Sequence, residues 1–125
     1  MRGYLLGAGV NGVIGVAMGA WAAHGLQATL EPAAIEWVKT GASYQLWHAA
    51  ALLGLGALAV AHRTRLLALA GFAFGVGALV FSGALYLYAL AGLGWITALA
   101  PFGGAAMIAG WLAVIAAAFR LRSAG

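Results

Sequence analysis

The sequence predicts an all-α integral membrane protein: a compact antiparallel bundle of four transmembrane helices, with a short interfacial helix on its outer side. Three observations carry this. Of the 125 residues, 66% are hydrophobic and 6% are charged, whereas soluble domains run near about half and about a quarter. Cutting the chain at its charges leaves four long apolar stretches, each near the ~20 residues that a helix needs to cross ~30 Å of hydrocarbon. The stretches are continuously apolar, without the period-2 alternation of a membrane β-barrel.

The first stretch covers about residues 3–23. Arg2 and the Ala20-Trp21-Ala22 triplet would also fit a cleaved leader. Six glycines and Asn11 interrupt what should then be a compact apolar core, so the stretch reads as the first span. Residues 27–40 form the longest connection and hold both acids, Glu31 and Glu36. Pro32 fits the first turn of a helix, and Glu36 and Lys39 make an i,i+3 pair. This segment is either a short surface helix lying at the interface or an N-terminal extension of the second span, broken at Gly41.

The second span covers about residues 42–61. His62-Arg63-Thr64-Arg65 is a tight basic turn into the third, 66–91. Gly92-Leu93-Gly94-Trp95 is a short apolar turn before the fourth, 98–119. Four spans and their connections use the whole chain as one domain, 1–125.

Eight charged side chains cannot cover the surface of a soluble fold, and this composition is not that of a disordered chain. The net charge of +4 does not mark a nucleic-acid binder, because the charges sit at segment ends and not along a stripe. Cysteine is absent, which removes disulfides, thiolate nucleophiles and Cys-ligated metals. Orientation follows from the basic residues. Arg2, Arg63, Arg65, Arg120 and Arg122 share one side of a four-span chain, against Lys39 on the other. Basic residues stay in the cytoplasm, so both termini are expected there. Trp21, Trp37 and Trp95 then fall at the outer interface.

The 20 glycines are too many for loops alone. Ala8, Gly12, Gly15 and Gly19 share one face of the first helix, and Gly71, Gly75, Ala78 and Ser82 repeat that spacing in the third. The second offers Ala50, Gly54, Ala57 and Ala61; the fourth offers Gly103, Ala106, Gly110, Ala113 and Ala117. Small faces let helix backbones approach closely in lipid.

Polar residues inside the spans are the candidate site. Tyr44, Gln45 and His48 open the second span on a broad common face. Tyr86 lies at similar depth in the third, with Ser82 a turn further in. His24 ends the first helix on the same side, and Thr97 and Pro101 begin the fourth there. His24, Tyr44, Gln45, His48, Ser82 and Tyr86 are therefore expected to meet near the outer surface, with Tyr86 and His24 the leading partners of His48. Such a cluster serves either as a hydrogen-bond lock between helices, since polar groups in lipid need partners, or as a binding or proton-linked site. No carboxylate is present to pair with a histidine. His24 and His48 are offset by about two turns, which disfavours haem ligation, and two histidines are too few for a metal. No metal or other cofactor is expected. Asn11 is read as another interhelix partner.

Several blocks carry a resemblance. Met18-Gly19-Ala20-Trp21-Ala22-Ala23-His24-Gly25-Leu26, the run from Trp37 to Ala49, Phe81-Ser82-Gly83-Ala84-Leu85-Tyr86, and Thr97 to Gly104 leading into Ile108-Ala109-Gly110-Trp111 resemble the bacterial inner-membrane family named domain of unknown function 423. The eukaryotic transmembrane protein 256 is similar. Ala84 and Ala100 depart from the Ser and Thr of those blocks. The resemblance implies a small four-helix membrane protein of the bacterial inner membrane, and it implies no activity.

Three functions are then open. The first is a non-enzymatic accessory protein whose partners are the lipid bilayer and a membrane protein or second copy, with no nucleic acid. The second is an oligomeric transporter or channel for a small solute, weakened by the absence of an intramembrane carboxylate. The third is a quinone- or haem-binding protein using the outer His/Tyr cluster.

Overall fold

Each helix begins and ends where its local chemistry requires. In a computed structural model, which describes residues 1–123, α1 runs Arg2–Ala23, α2 Pro32–Ala61, α3 Arg65–Ala91 and α4 Ala100–Ser123. Pro32 occupies the first turn of α2 behind an extended Glu31, a position where its missing N–H costs nothing. Thr64 caps α3, its hydroxyl accepting from the Leu67 amide at 3.2 Å. Gly92 ends α3 in the left-handed region, φ 66°, with its amide donating to the Tyr88 carbonyl. Only glycine adopts that conformation without strain. All four helices are long and apolar enough to cross a membrane.

The segment before α2 settles the two readings of residues 27–40. There is no separate interfacial helix. Residues 32–40 are the first turns of α2, which continues through Gly41 without a break, and only a 3-10 turn, Gly25–Ala28, precedes it. The 30 residues of α2 span ~45 Å, more than the ~30 Å of hydrocarbon. Its first turns therefore stand beyond the apolar layer and carry the exposed Lys39–Glu36 pair, 3.4 Å apart. A second 3-10 turn, Gly94–Leu99, leads into α4 and is anchored by buried Ile96.

Successive helices are antiparallel. The arrangement is not a closed square, because α3 touches each of the others while, among the described residues, α1 and α4 backbones do not approach. The first-helix stripe packs on α2 as its spacing implies: a Cβ built on Gly15 would lie 3.0 Å from Leu46, and one on Gly19 3.6 Å from Ala42. The α4 stripe packs on α3, with Gly103, Gly110, Ala113 and Ala117 buried.

Two stripes are corrected. In α2, Ala50, Gly54, Ala57 and Ala61 are exposed; α1 and α3 both pack on the opposite face, which holds Gln45, His48, Leu52 and Leu55. In α3, Gly71, Ala78 and Ser82 are buried as the spacing implies, with the Tyr4 ring close against Gly71, but the close approach to α4 falls at Gly77, off that stripe, and Gly75 is loosely packed. A Cβ on Gly77 would lie 3.0 Å from the Gly103 carbonyl oxygen, whereas one on Gly75 meets only Leu52 at 4.0 Å. The reason is that α3 serves α4 with a second face, since Gly77 stands about 160° around the helix from Gly75.

Two apolar cores result. One, nearer the basic ends, holds Leu52, Leu55, Leu67, Phe74 and Ala113. The other, nearer the acidic connection, holds Ala22, Leu26, Ile35, Val38 and Tyr86. The buried polar residues form a layer between them.

Candidate functional site: a polar layer across the helices

Among the described residues, Asn11, Gln45, His48 and Ser82 are the buried polar side chains of the spans, none more than 5% exposed. Helix periodicity places Gly41, Gln45 and His48 on the inner face of α2, and Ser82 and Tyr86 a turn apart on α3. The Tyr86 hydroxyl donates to Gln45 Oε1 at 2.7 Å. The Gln45 amide donates to Asn11 Oδ1 at 3.0 Å. The Asn11 amide then donates to the Gly7 carbonyl of its own helix at 3.0 Å and to the Gly75 carbonyl of α3 at 3.3 Å. A directed chain thus runs α3 to α2 to α1 and back to α3. A second tie is made by Ser82, whose hydroxyl donates to the Gly41 carbonyl at 2.7 Å.

Gly41 is required by this geometry. The Tyr86 ring lies on it so closely that a Cβ would fall 2.7 Å from the ring edge. Any side chain there would push Tyr86 away from Gln45.

His48 faces a different way. Its Nε2 accepts from the Trp111 indole N–H of α4 at 3.1 Å, and its Nδ1 lies 2.7 Å from the Tyr44 carbonyl. Indole only donates, so this network puts the ring hydrogen on Nδ1, bonded back to the preceding turn. Phe74 and Trp111 pack on the imidazole edge-on, at centroid distances of 5.1 and 5.9 Å. Tyr44 lies nearly parallel to the His48 ring at 6.3 Å and meets Phe81 of α3 at a tilt, 4.8 Å between centroids.

The layer therefore brings together Gln45, Ser82 and Tyr86, with His48 and Tyr44 beside them. It does not include His24, which is exposed beyond the end of α1 and whose side chain bonds to no described residue. His24 sits exposed where α1 gives way to the 3-10 turn. The expected partners of His48, Tyr86 and His24, are both replaced by Trp111. Thr97 is exposed and bonds only to the Gly94 carbonyl of its own turn. Trp111 is the residue that sequence reasoning passes over. Its signal is slight: a large amphipathic ring beside Gly110 on a helix otherwise rich in alanine.

No buried side-chain nitrogen or oxygen among the described residues lacks a partner. Among the same residues no group of three or more His, Cys, Asp or Glu is placed to hold a metal.

Four membrane-length helices, short connections and a fully paired polar layer define a small polytopic membrane protein. The family model described as protein of unknown function (DUF423) matches residues 18–104, and the chain belongs to that family. It is 37% identical over 125 residues to the UPF0382 inner membrane protein YgdD of Escherichia coli strain K12, covering 99% of this chain and 95% of the relative. It is 35% identical over 120 residues to a UPF0382 membrane protein of Haemophilus influenzae, covering 96% of each. No solved structure matches the chain.

Proposed function

We propose that the protein is a non-catalytic component of the bacterial inner membrane that acts by contact with a membrane partner or with lipid. The observation that carries this is the pairing of the polar layer: among the described residues, no buried side-chain nitrogen or oxygen lacks an intrachain partner. In lipid the lone pairs and hydrogens of a buried polar side chain need partners within the protein, and pairing across helices makes them a lock between those helices. Here those of Gln45, Asn11 and Ser82 are turned toward neighbouring helices. The orientation that accompanies this reading has both termini and the 62–65 turn in the cytoplasm, supported by the five arginines on that side against Lys39 on the other.

The test is purification from native membranes without crosslinker, followed by mass spectrometry. The expected result is a reproducible membrane-protein partner or bound lipid. A chain isolated alone with a stoichiometric soluble small molecule would overturn the reading.

A further inference from the structure

We infer that the chain binds one acyl chain of an anionic phospholipid in a groove between α1 and α3, with Arg2 and Arg65 holding the headgroup. The inference deepens the lipid arm of the proposed function and rests on it. The groove is about 490 Å³ and is lined mostly by apolar atoms. Leu6 and Val10 form one wall, Phe72 and Val76 the other, and Gly7 and Gly75 lie between them. A Cβ built on Gly7 or Gly75 would meet Leu52 of α2, at 3.3 and 4.0 Å, so the floor between these two parallel helices rests on that side chain.

Two features select a lipid over a second helix. The first is length. The groove runs from the start of α1 to Val10, and from Ala68 to Leu79 on α3, roughly 14 and 16 Å of helix. That is one leaflet of the ~30 Å hydrocarbon layer, whereas a crossing helix would need a seat of twice that length.

The second is charge. Arg2, Leu6 and Val10 follow i, i+4, i+8 on α1, so Arg2 heads one wall. Arg65 heads the other, standing seven and eleven residues before Phe72 and Val76 on the same face of α3. Both arginines are exposed and neither pairs with a carboxylate among the described residues. The two acids of the chain, Glu31 and Glu36, lie beyond the opposite ends of the helices. An apolar channel one leaflet deep, headed by two uncompensated guanidinium groups, matches a single acyl chain with a phosphate at its end. Arginine stems cover apolar surface while the heads reach phosphate.

Native mass spectrometry of the full chain tests this, with phosphatidylglycerol and phosphatidylcholine of matched acyl chains as probes. The wild type is expected to hold one phosphatidylglycerol roughly 25-fold more tightly than phosphatidylcholine, from about fivefold per arginine. Arg2→Gln with Arg65→Gln should reduce phosphatidylglycerol to the phosphatidylcholine level. Gly3→Phe should block both lipids, because nothing lies within 4 Å of a Cβ there and the ring can enter the groove without a clash. Equal affinity for the two lipids in the wild type, selectivity unchanged by the arginine pair, or loss of a dimer in place of lipid on Gly3→Phe would each overturn the site. A membrane-protein partner that persists in native-membrane purifications alongside any of those results would leave the non-catalytic reading intact and remove only the lipid groove.

Discussion

Gln45 is the residue on which the polar layer depends, because it both accepts from Tyr86 and donates to Asn11. Gln45→Leu leaves a buried hydroxyl and a buried amide oxygen without partners, at a cost of about 1–3 kcal/mol. Adding Tyr86→Phe to that variant removes one orphan, so thermal unfolding in a mild detergent should show the double variant less destabilised than the sum of the singles. Strict additivity would mean that the two side chains do not interact. His48 offers a separate measurement. His48→Gln retains an acceptor for the Trp111 indole and should melt within a few degrees of the wild type. His48→Leu strands that indole N–H and should cost about 1–2 kcal/mol. Tryptophan emission of a Trp111-only background should shift with His48→Leu and not with His48→Gln. The periodicity of α2 places Gln45 and His48 on the inner face from sequence alone. The choice of partner was not legible, because it depends on which helix stands opposite each rotamer. His24 illustrates the same limit: a histidine at the outer end of a span belongs to the layer only if it is buried against a neighbouring helix, and here it is exposed.

At the scale of the element, the α3–α4 contact sets backbone directly against backbone. A Cβ on Gly103 would overlap the Phe81 amide and lie 2.8 Å from the Gly77 carbonyl oxygen, and backbone cannot yield as a side-chain tip can. Gly103→Leu should therefore lower stability by about 1–3 kcal/mol or more. Gly83→Leu on α3 is the control, since nothing lies within 4 Å of its Cβ. Equal melting of the two variants in detergent would show that α3 and α4 are not close-packed. The i, i+4, i+7 spacing of small residues identified the packed faces of α1 and α4 because each packs mainly along one face. It misassigned α2 and part of α3, which pack on two or three neighbours and so bury more than one stripe.

For the whole molecule, the proposed orientation is open to a direct measurement. The chain has no cysteine, so single cysteines can be placed at Ala33, in the exposed first turn of α2, and at His62, in the exposed turn after it. In intact spheroplasts an impermeant maleimide should label Ala33→Cys, and His62→Cys only after permeabilisation. The reverse pattern would invert the topology. By itself the sequence determined the class of protein, the number of helices, their approximate ends and the inner faces of α1 and α4. These follow from hydropathy, charge placement and local periodicity, which act over a few residues at a time. The tertiary structure alone decided that α3 stands between its neighbours with α1 and α4 apart, that residues 32–40 continue α2, and that Trp111 meets His48 while His24 stays outside. Each of those outcomes is a choice among helices of nearly equal hydrophobicity. In lipid that choice is made by close steric fit and by hydrogen-bond partners from distant parts of the chain, neither of which is encoded in any one segment.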